Sequence, residues 1–130
     1  MIEKIQRLVE EMAQELPHIL AVAVVTVDDG MSIAEATRKQ GLETAAAAAY
    51  LASIVKSNSK AISLLADNEV IDDILITTAQ FHFIIRHMPD QPFFLFLMTS
   101  KDEWLAKARN VIKKYEPKFA GLKEELDHLQ

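Results

Sequence analysis

Ile2, Ile5, Val9, Met12 and Leu16 stand 3, 4, 3 and 4 residues apart, with charged and polar side chains between them. That spacing draws one apolar stripe along an α-helix, and Pro17 stops it, so a first helix is expected over about residues 2–16. Ile19 to Val27 follows, rich in β-branched residues and without alternation. It predicts a strand buried on both faces. Asp28-Asp29-Gly30 then reads as a hairpin turn of type I′, which needs positive φ at both central positions. A second strand is expected over Met31–Ala36, followed by the polar loop Thr37–Gly41.

Residues 43–66 read as one long helix, roughly 36 Å at 1.5 Å per residue. Val70 to Thr78 predicts a third strand, and the adjacent Asp72 and Asp73 suit a sheet edge, where charge discourages stray pairing. Phe81–His87 is a fourth strand with Phe81, Phe83 and Ile85 on one face. Phe93–Met98 is unbrokenly apolar and predicts a central strand. Ser100-x-x-Glu103 matches a capping box and is expected to open a last helix. Its apolar face is Trp104, Ala108, Val111, Ile112 and Tyr115, with Trp104 as a core anchor. Pro117 breaks that helix or begins another turn. Phe119, Leu122, Leu126 and Leu129 then suggest a short amphipathic tail helix, weakened by Gly121.

The order α-β-β-α-β-β-β-α with hairpin-length links implies an α+β fold. The expected architecture is a three-layer α/β/α sandwich around a five-stranded antiparallel sheet. The long helix covers one face and the terminal helices the other. One domain over 1–116 and a helical tail over 117–130 complete the organisation.

The long helix has two unlike faces. Tyr50, Leu51, Ile54, Ala61, Ile62 and Leu65 form a large apolar stripe suited to a sheet. Ala45, Ala48, Ala49 and Ala52 lie opposite, continued by Lys56, Ser59 and Ser63. An outer face of alanine without charge over two turns is expected to admit the close approach of a second helix, beyond what alanine's helix propensity alone requires.

Composition narrows the function. The chain has 130 residues, half of them apolar, a net charge of −5, no cysteine and three glycines. Without cysteine there is no disulfide framework, thiol nucleophile or iron–sulfur cluster. Neither G-x-x-x-x-G-K-[ST] nor G-x-G-x-x-G occurs. An acidic chain is poorly suited to a phosphate backbone, so no nucleic-acid partner is expected. The apolar runs are too short to span a bilayer, so no membrane insertion is expected, and the absence of a signal-peptide pattern makes the cytoplasm the expected location. His18, His82, His87 and His128 lack metal-ligand spacing, and His82 and His87 point to opposite faces of a strand. Asp28-Asp29 is explained by turn chemistry, and Asp72-Asp73 cannot share a proton across a strand. Ser32 lies in no G-x-S-x-G elbow. No catalytic residue, cofactor or metal is expected, and weight moves from enzyme to binding module.

The combination of Ala21–Val27, Asp29-Gly30-Met31-x-Ile33-Ala34, the alanine-rich helix 45–66, Ile74-x-Ile76-Thr77, Ile84-Ile85 and the apolar strand 93–98 resembles the Roadblock/LC7 family. The resemblance covers about residues 4–115. It implies a small non-catalytic homodimer in which the long helices pack together and the third strand of each copy pairs with the other. Carried onto this chain, the interface takes in Ala45, Ala48, Ala49, Ala52, Lys56, Ser59, Ile71, Asp72, Ile74 and Ile76. The family's partners include small Ras-like GTPases, related roadblock chains and dynein-type motor complexes. The resemblance therefore implies a regulator or scaffold of a small GTPase. Arg38 and Lys39 sit in a polar loop, where solvated cations are expected ahead of an arginine finger, a role that only their loop placement supports. A profilin-like small-ligand sensor is the alternative. An enzyme would require Asp28, Asp73, His82 and His87 to converge.

Overall fold

The computed structural model describes residues 2–88 and 90–128, with side chains through Leu122. The elements are α1 (Ile2–Glu15), β1 (Ile19–Thr26), β2 (Ser32–Thr37), α2 (Thr44–Leu65), β3 (Ile74–Thr77), β4 (Phe81–His87), β5 (Phe93–Ser100) and α3 (Leu105–His128). The strands form one sheet in the order β2-β1-β5-β4-β3, every neighbouring pair antiparallel.

Alternation along the strands divides the core in two. Val22, Val24, Ile84, Leu95 and Leu97 face α1 and α3, where Val9, Met12, Ala108, Ile112, Tyr115 and Phe119 meet them. Ala21, Ala23, Val25, Ile85, Phe94 and Phe96 face α2. β1 and β5 lie in the middle of the sheet and serve both clusters, which is why neither alternates. The three-layer arrangement expected from the sequence is the one observed.

Four local details differ from expectation. Gly30 alone takes positive φ in the β1–β2 turn, at 64°. The turn is a wider loop, closed by Gly30 N–H to the Thr26 carbonyl (3.1 Å) and Thr26 N–H to the Met31 carbonyl (2.9 Å). Type I′ would also require Asp29 at positive φ. Here the Asp29 carboxylate instead takes the Thr26 hydroxyl, whose oxygen accepts the Met31 N–H.

The third strand is shorter than its hydrophobic pattern. Only Ile74–Thr77 join the ladder. Asp73 is drawn the other way, onto Arg109 of α3 at 2.9 and 3.4 Å.

The last helix starts at Leu105, and Ser100-x-x-Glu103 is not its capping box. Ser100 ends β5, and the buried Glu103 carboxylate accepts the His18 N–H at 3.1 Å, tying the α1–β1 corner to the start of α3. Trp104, expected in the core, is 79% exposed, because its carbonyl opens α3 (to Ala108 N–H, 3.1 Å) before the helix reaches the sheet.

Lastly, α3 runs through Pro117. A proline inside a helix costs about 3 kcal/mol. Burying Tyr115 and Phe119 on either side returns about 1.5–3 kcal/mol each, enough to keep the helix whole. The expected stripe beyond it, Leu126 and Leu129, and with it His128, lies outside the described side chains.

On the α1–α3 surface, Lys114 donates to Glu15 at 2.7 Å. The Lys114 ammonium, and next the Tyr115 hydroxyl, hold the Glu15 carboxyl below the usual carboxylate range. Burial, and the Glu15 carboxylate beside it, raise the Tyr115 hydroxyl above its ordinary value. A carboxyl depressed in the folded state contributes stability above its unfolded pKa and loses it as pH falls through the folded one. Lys114→Ala is therefore expected to reduce stability at neutral pH and to flatten part of the acid-side loss below pH 4.5. The change should stay under about 1 kcal/mol, since the Lys114 side chain is 57% exposed and surface pairs are weak. Urea melts at pH 7 and pH 3 check it.

Candidate assembly surface

α2 lies on the sheet with Ala48 and Ala52 inward beside Leu51 and Val55, while Ala45, Ala46, Ala47 and Ala49 stay exposed. Thr44, Ala48, Leu51, Ala52 and Val55 are its buried residues. This corrects the assignment of faces: Ala48 and Ala52 belong to the protomer's own core and are not offered to a second helix. The physical reason is the surface below. β1 presents Ala21 and Ala23, so Ala48 and Ala52 settle close to the sheet while Leu51 and Val55 fill the space beside them. The hairpin is equally close, since a Cβ on Gly30 would stand 2.6 Å from the Ala49 Cα. Lys56, two turns further along α2, donates to the Asp28 carbonyl at 3.0 Å and also holds the hairpin.

Several bulky side chains of α2 point outward instead. Tyr50, Leu64 and Leu65 are 76%, 75% and 82% exposed. Ala46, Tyr50, Ser53, Ser57, Ala61 and Leu64 share one outward stripe, spaced 4, 3, 4, 4 and 3, all exposed and none charged. The helix also outruns its support. Val55 is its last fully buried residue, and from Lys56 to Leu65 only Ile62 is even partly covered.

The sheet beneath is covered unevenly. The α2-facing side chains Ile74, Phe81 and Phe83 on β3 and β4 are only partly buried, and Ile76 is 37% exposed. Lys39, from the β2–α2 loop, lies 5.0 Å from the Phe81 ring centroid, and Arg38 reaches the Thr37 carbonyl at 3.4 Å. These loop cations are thus engaged within the protomer. β3 is the outermost strand on this side.

Of the other interface candidates, Ala45 and Ser59 are exposed on α2, Ile71 is half-buried and Asp72 exposed just ahead of β3, and Ile74 and Ile76 sit on β3 itself. Tyr50 and Leu64 were missed as outward residues. Their signal was present, because the outward stripe has helical spacing of its own. Choosing between two stripes required knowing that β1 offers alanines.

A polar cleft of about 300 Å³ lies on the opposite side, between the lead-in to β3 and α3, lined by Asp72, Asp73, Arg86, Arg109, Ile112 and Lys113. Its arginines are paired, Arg109 with Asp73 and Arg86 with Glu116. His82 is buried on β4, and His87 lies 3.1 Å from the Gln91 carbonyl. Asp28 remains in the hairpin turn and Asp73 on Arg109. Among the described residues, no group of three or more His, Asp or Glu is arranged to hold a metal ion, and no helix is long and apolar enough to cross a membrane.

No protein-family model matches the chain, and no curated protein matches it by sequence. Its fold is that of Roadblock/LC7 domains: the Roadblock/LC7 domain from Streptomyces avermitilis is similar over 88% of this chain and 97% of that one, with a TM-score of 0.73 at 12% identity. The likeness extends further to Myxococcus xanthus MglB, which matches 96% of this chain over 91% of its own, with a TM-score of 0.86 at 19% identity. Profilin IA from Acanthamoeba castellanii is a looser neighbour, with a TM-score of 0.59 at 15% identity over 91% and 98% of the two chains.

Proposed function

We propose that this chain is a non-catalytic homodimer that binds a small Ras-like GTPase in the cytoplasm and modulates its activity or location. The observation that carries the dimer is the joint exposure of the outer α2 stripe, the half-covered β3–β4 face and the β3 edge. Two copies related by a two-fold axis can place α2 beside α2 and β3 beside β3, so that each covers what the other leaves open. Large apolar side chains such as Tyr50 and Leu64 exposed along an uncharged helix stripe are otherwise a liability. The GTPase reading is supported by the resemblance to the Roadblock/LC7 family and by the likeness to MglB. The pairing of Arg86, Arg109, Asp73 and Glu116 with one another favours a structural role for the polar cleft over a ligand site.

Two measurements test this. Light scattering of the wild type is expected to give twice the chain mass, and Tyr50→Glu with Leu64→Glu is expected to give monomer with its sheet signal intact. A wild-type monomer, or a double variant that stays dimeric, sinks the interface. For the partner, immobilised protein is exposed to purified small GTPases of the same genome, each loaded with GDP or a non-hydrolysable GTP analogue. Retention that depends on the nucleotide is expected; equal or absent retention across the panel refutes the GTPase reading.

A further inference from the structure

The sheet has two edges, and the chain treats them differently. At β2, the carboxamide of Gln6 on α1 donates from Nε2 to the Glu35 carbonyl at 2.8 Å and accepts the Glu35 N–H at 3.1 Å. Glu35 stands opposite Ala23 of β1. With both its backbone groups on Gln6, it occupies a position of the antiparallel pair whose N–H and C=O face away from the ladder. A carboxamide presents one donor and one acceptor side by side, the pair that the next strand of a sheet would present there. The second Nε2 hydrogen goes to Glu10 Oε1 at 3.1 Å, one turn along α1, which sets which end of the amide meets which backbone group.

The rest of β2 is blunted too. The register shifts between Val24 and Val25, so the start of β2 carries a bulge. At its other end the Arg38 guanidinium sits on the Thr37 carbonyl. β3 has none of this: among the described residues no side chain hydrogen-bonds the backbone of Ile74–Thr77.

We propose that the Gln6 carboxamide acts as a surrogate sixth strand, closing the β2 edge so that the sheet extends only through β3, toward a second copy of this chain. A subunit with one open edge closes into a pair, whereas a subunit with two open edges can add copies without end. The inference rests on the dimer reading in taking β3 as the mated edge.

Gln6→Ala in the full chain is the direct test. Alanine is the better helix former, and Gln6 lies outside the buried stripe of α1, so the fold is kept. The Glu35 amide is expected to exchange with solvent about tenfold faster, the loss of one hydrogen bond. The mass by sedimentation is expected to climb with protein concentration past that of the wild type. Adding Glu35→Pro, which deletes the outward N–H without touching the β1 ladder, should restore the wild-type mass. Gln6→Met keeps the length and helix propensity without the amide and should behave as Gln6→Ala. Wild-type mass in both single variants, or growth in the alanine variant alone, overturns the proposal, the second because bulk would then be the guard. A wild-type monomer counts only against the β3 pairing. Growth of the Gln6 variants would still report an opened β2 edge.

Discussion

Replacing Gly30 by alanine is expected to destabilise the fold by about 2–4 kcal/mol, a large part of a total of roughly 5–15 kcal/mol for a domain of this kind. Two costs add. Gly30 sits at φ 64°, where any side chain is strained by about 1–2 kcal/mol. The new Cβ would also stand 2.6 Å from the Ala49 Cα and 3.2 Å from its amide nitrogen. Both are backbone atoms of α2 and cannot swing away, so hairpin and helix must part, which loosens Ala48 and Ala52 from β1. Gly41 supplies the comparison. It too has positive φ, 80°, but nothing lies within 4 Å of its would-be Cβ. Gly41→Ala should therefore cost only the conformational part, about 1 kcal/mol. Urea denaturation of both variants checks this. Equal midpoints would mean that contact with Ala49 contributes nothing.

Phe119→Ala is expected to cost about 3–5 kcal/mol, as for a fully buried aromatic. Phe119 is 0% exposed and meets Phe93 edge-on at 6.2 Å between ring centroids. It lies two residues past Pro117, so the packing that keeps α3 helical through the proline is lost along with the side chain. The thermal midpoint should fall steeply, and a chain ending at Lys118 should fall at least as far. A truncated chain melting within a few degrees of wild type would mean that α3 beyond Pro117 is an appendage and no part of the core.

Much of this architecture was legible in the sequence. The stripe Ile2–Leu16 identified α1, and unbroken apolar runs identified the two central strands, because residues buried on both faces cannot alternate. The β3 edge was legible from Asp72 and Asp73, although the pairing of Asp73 with Arg109 also makes the strand start late, at Ile74. The facing of α2 was legible only in part: Leu51 and Ile54 face the sheet as expected, but so do Ala48 and Ala52, and Tyr50 and Leu65 do not. Two stripes share that helix, and side-chain size argued for the larger one inward. β1, with Ala21 and Ala23, lets Ala48 and Ala52 approach closely, so the buried face runs between the two expected stripes. Ser100 and Glu103 had capping-box spacing but were claimed by tertiary structure, Ser100 by β5 and Glu103 by the His18 amide. Gln6 left no sequence signal at all. Its partner lies 29 residues away, and glutamine on a polar helix face is ordinary.

The unsupported end of α2 has a consequence for the proposed pairing of two chains. A free helix shorter than about 12–15 residues is marginal in water, and the stretch from Lys56 to Leu65 has almost nothing of its own protomer to lean on. In the proposed pair the neighbour would add to its order, and part of the entropy of fixing those residues would then be charged to association. Such a coupling would make the bond between copies weaker than its apolar area suggests and more sensitive to temperature. The pair would be an exchangeable one, able to trade a subunit for a related chain.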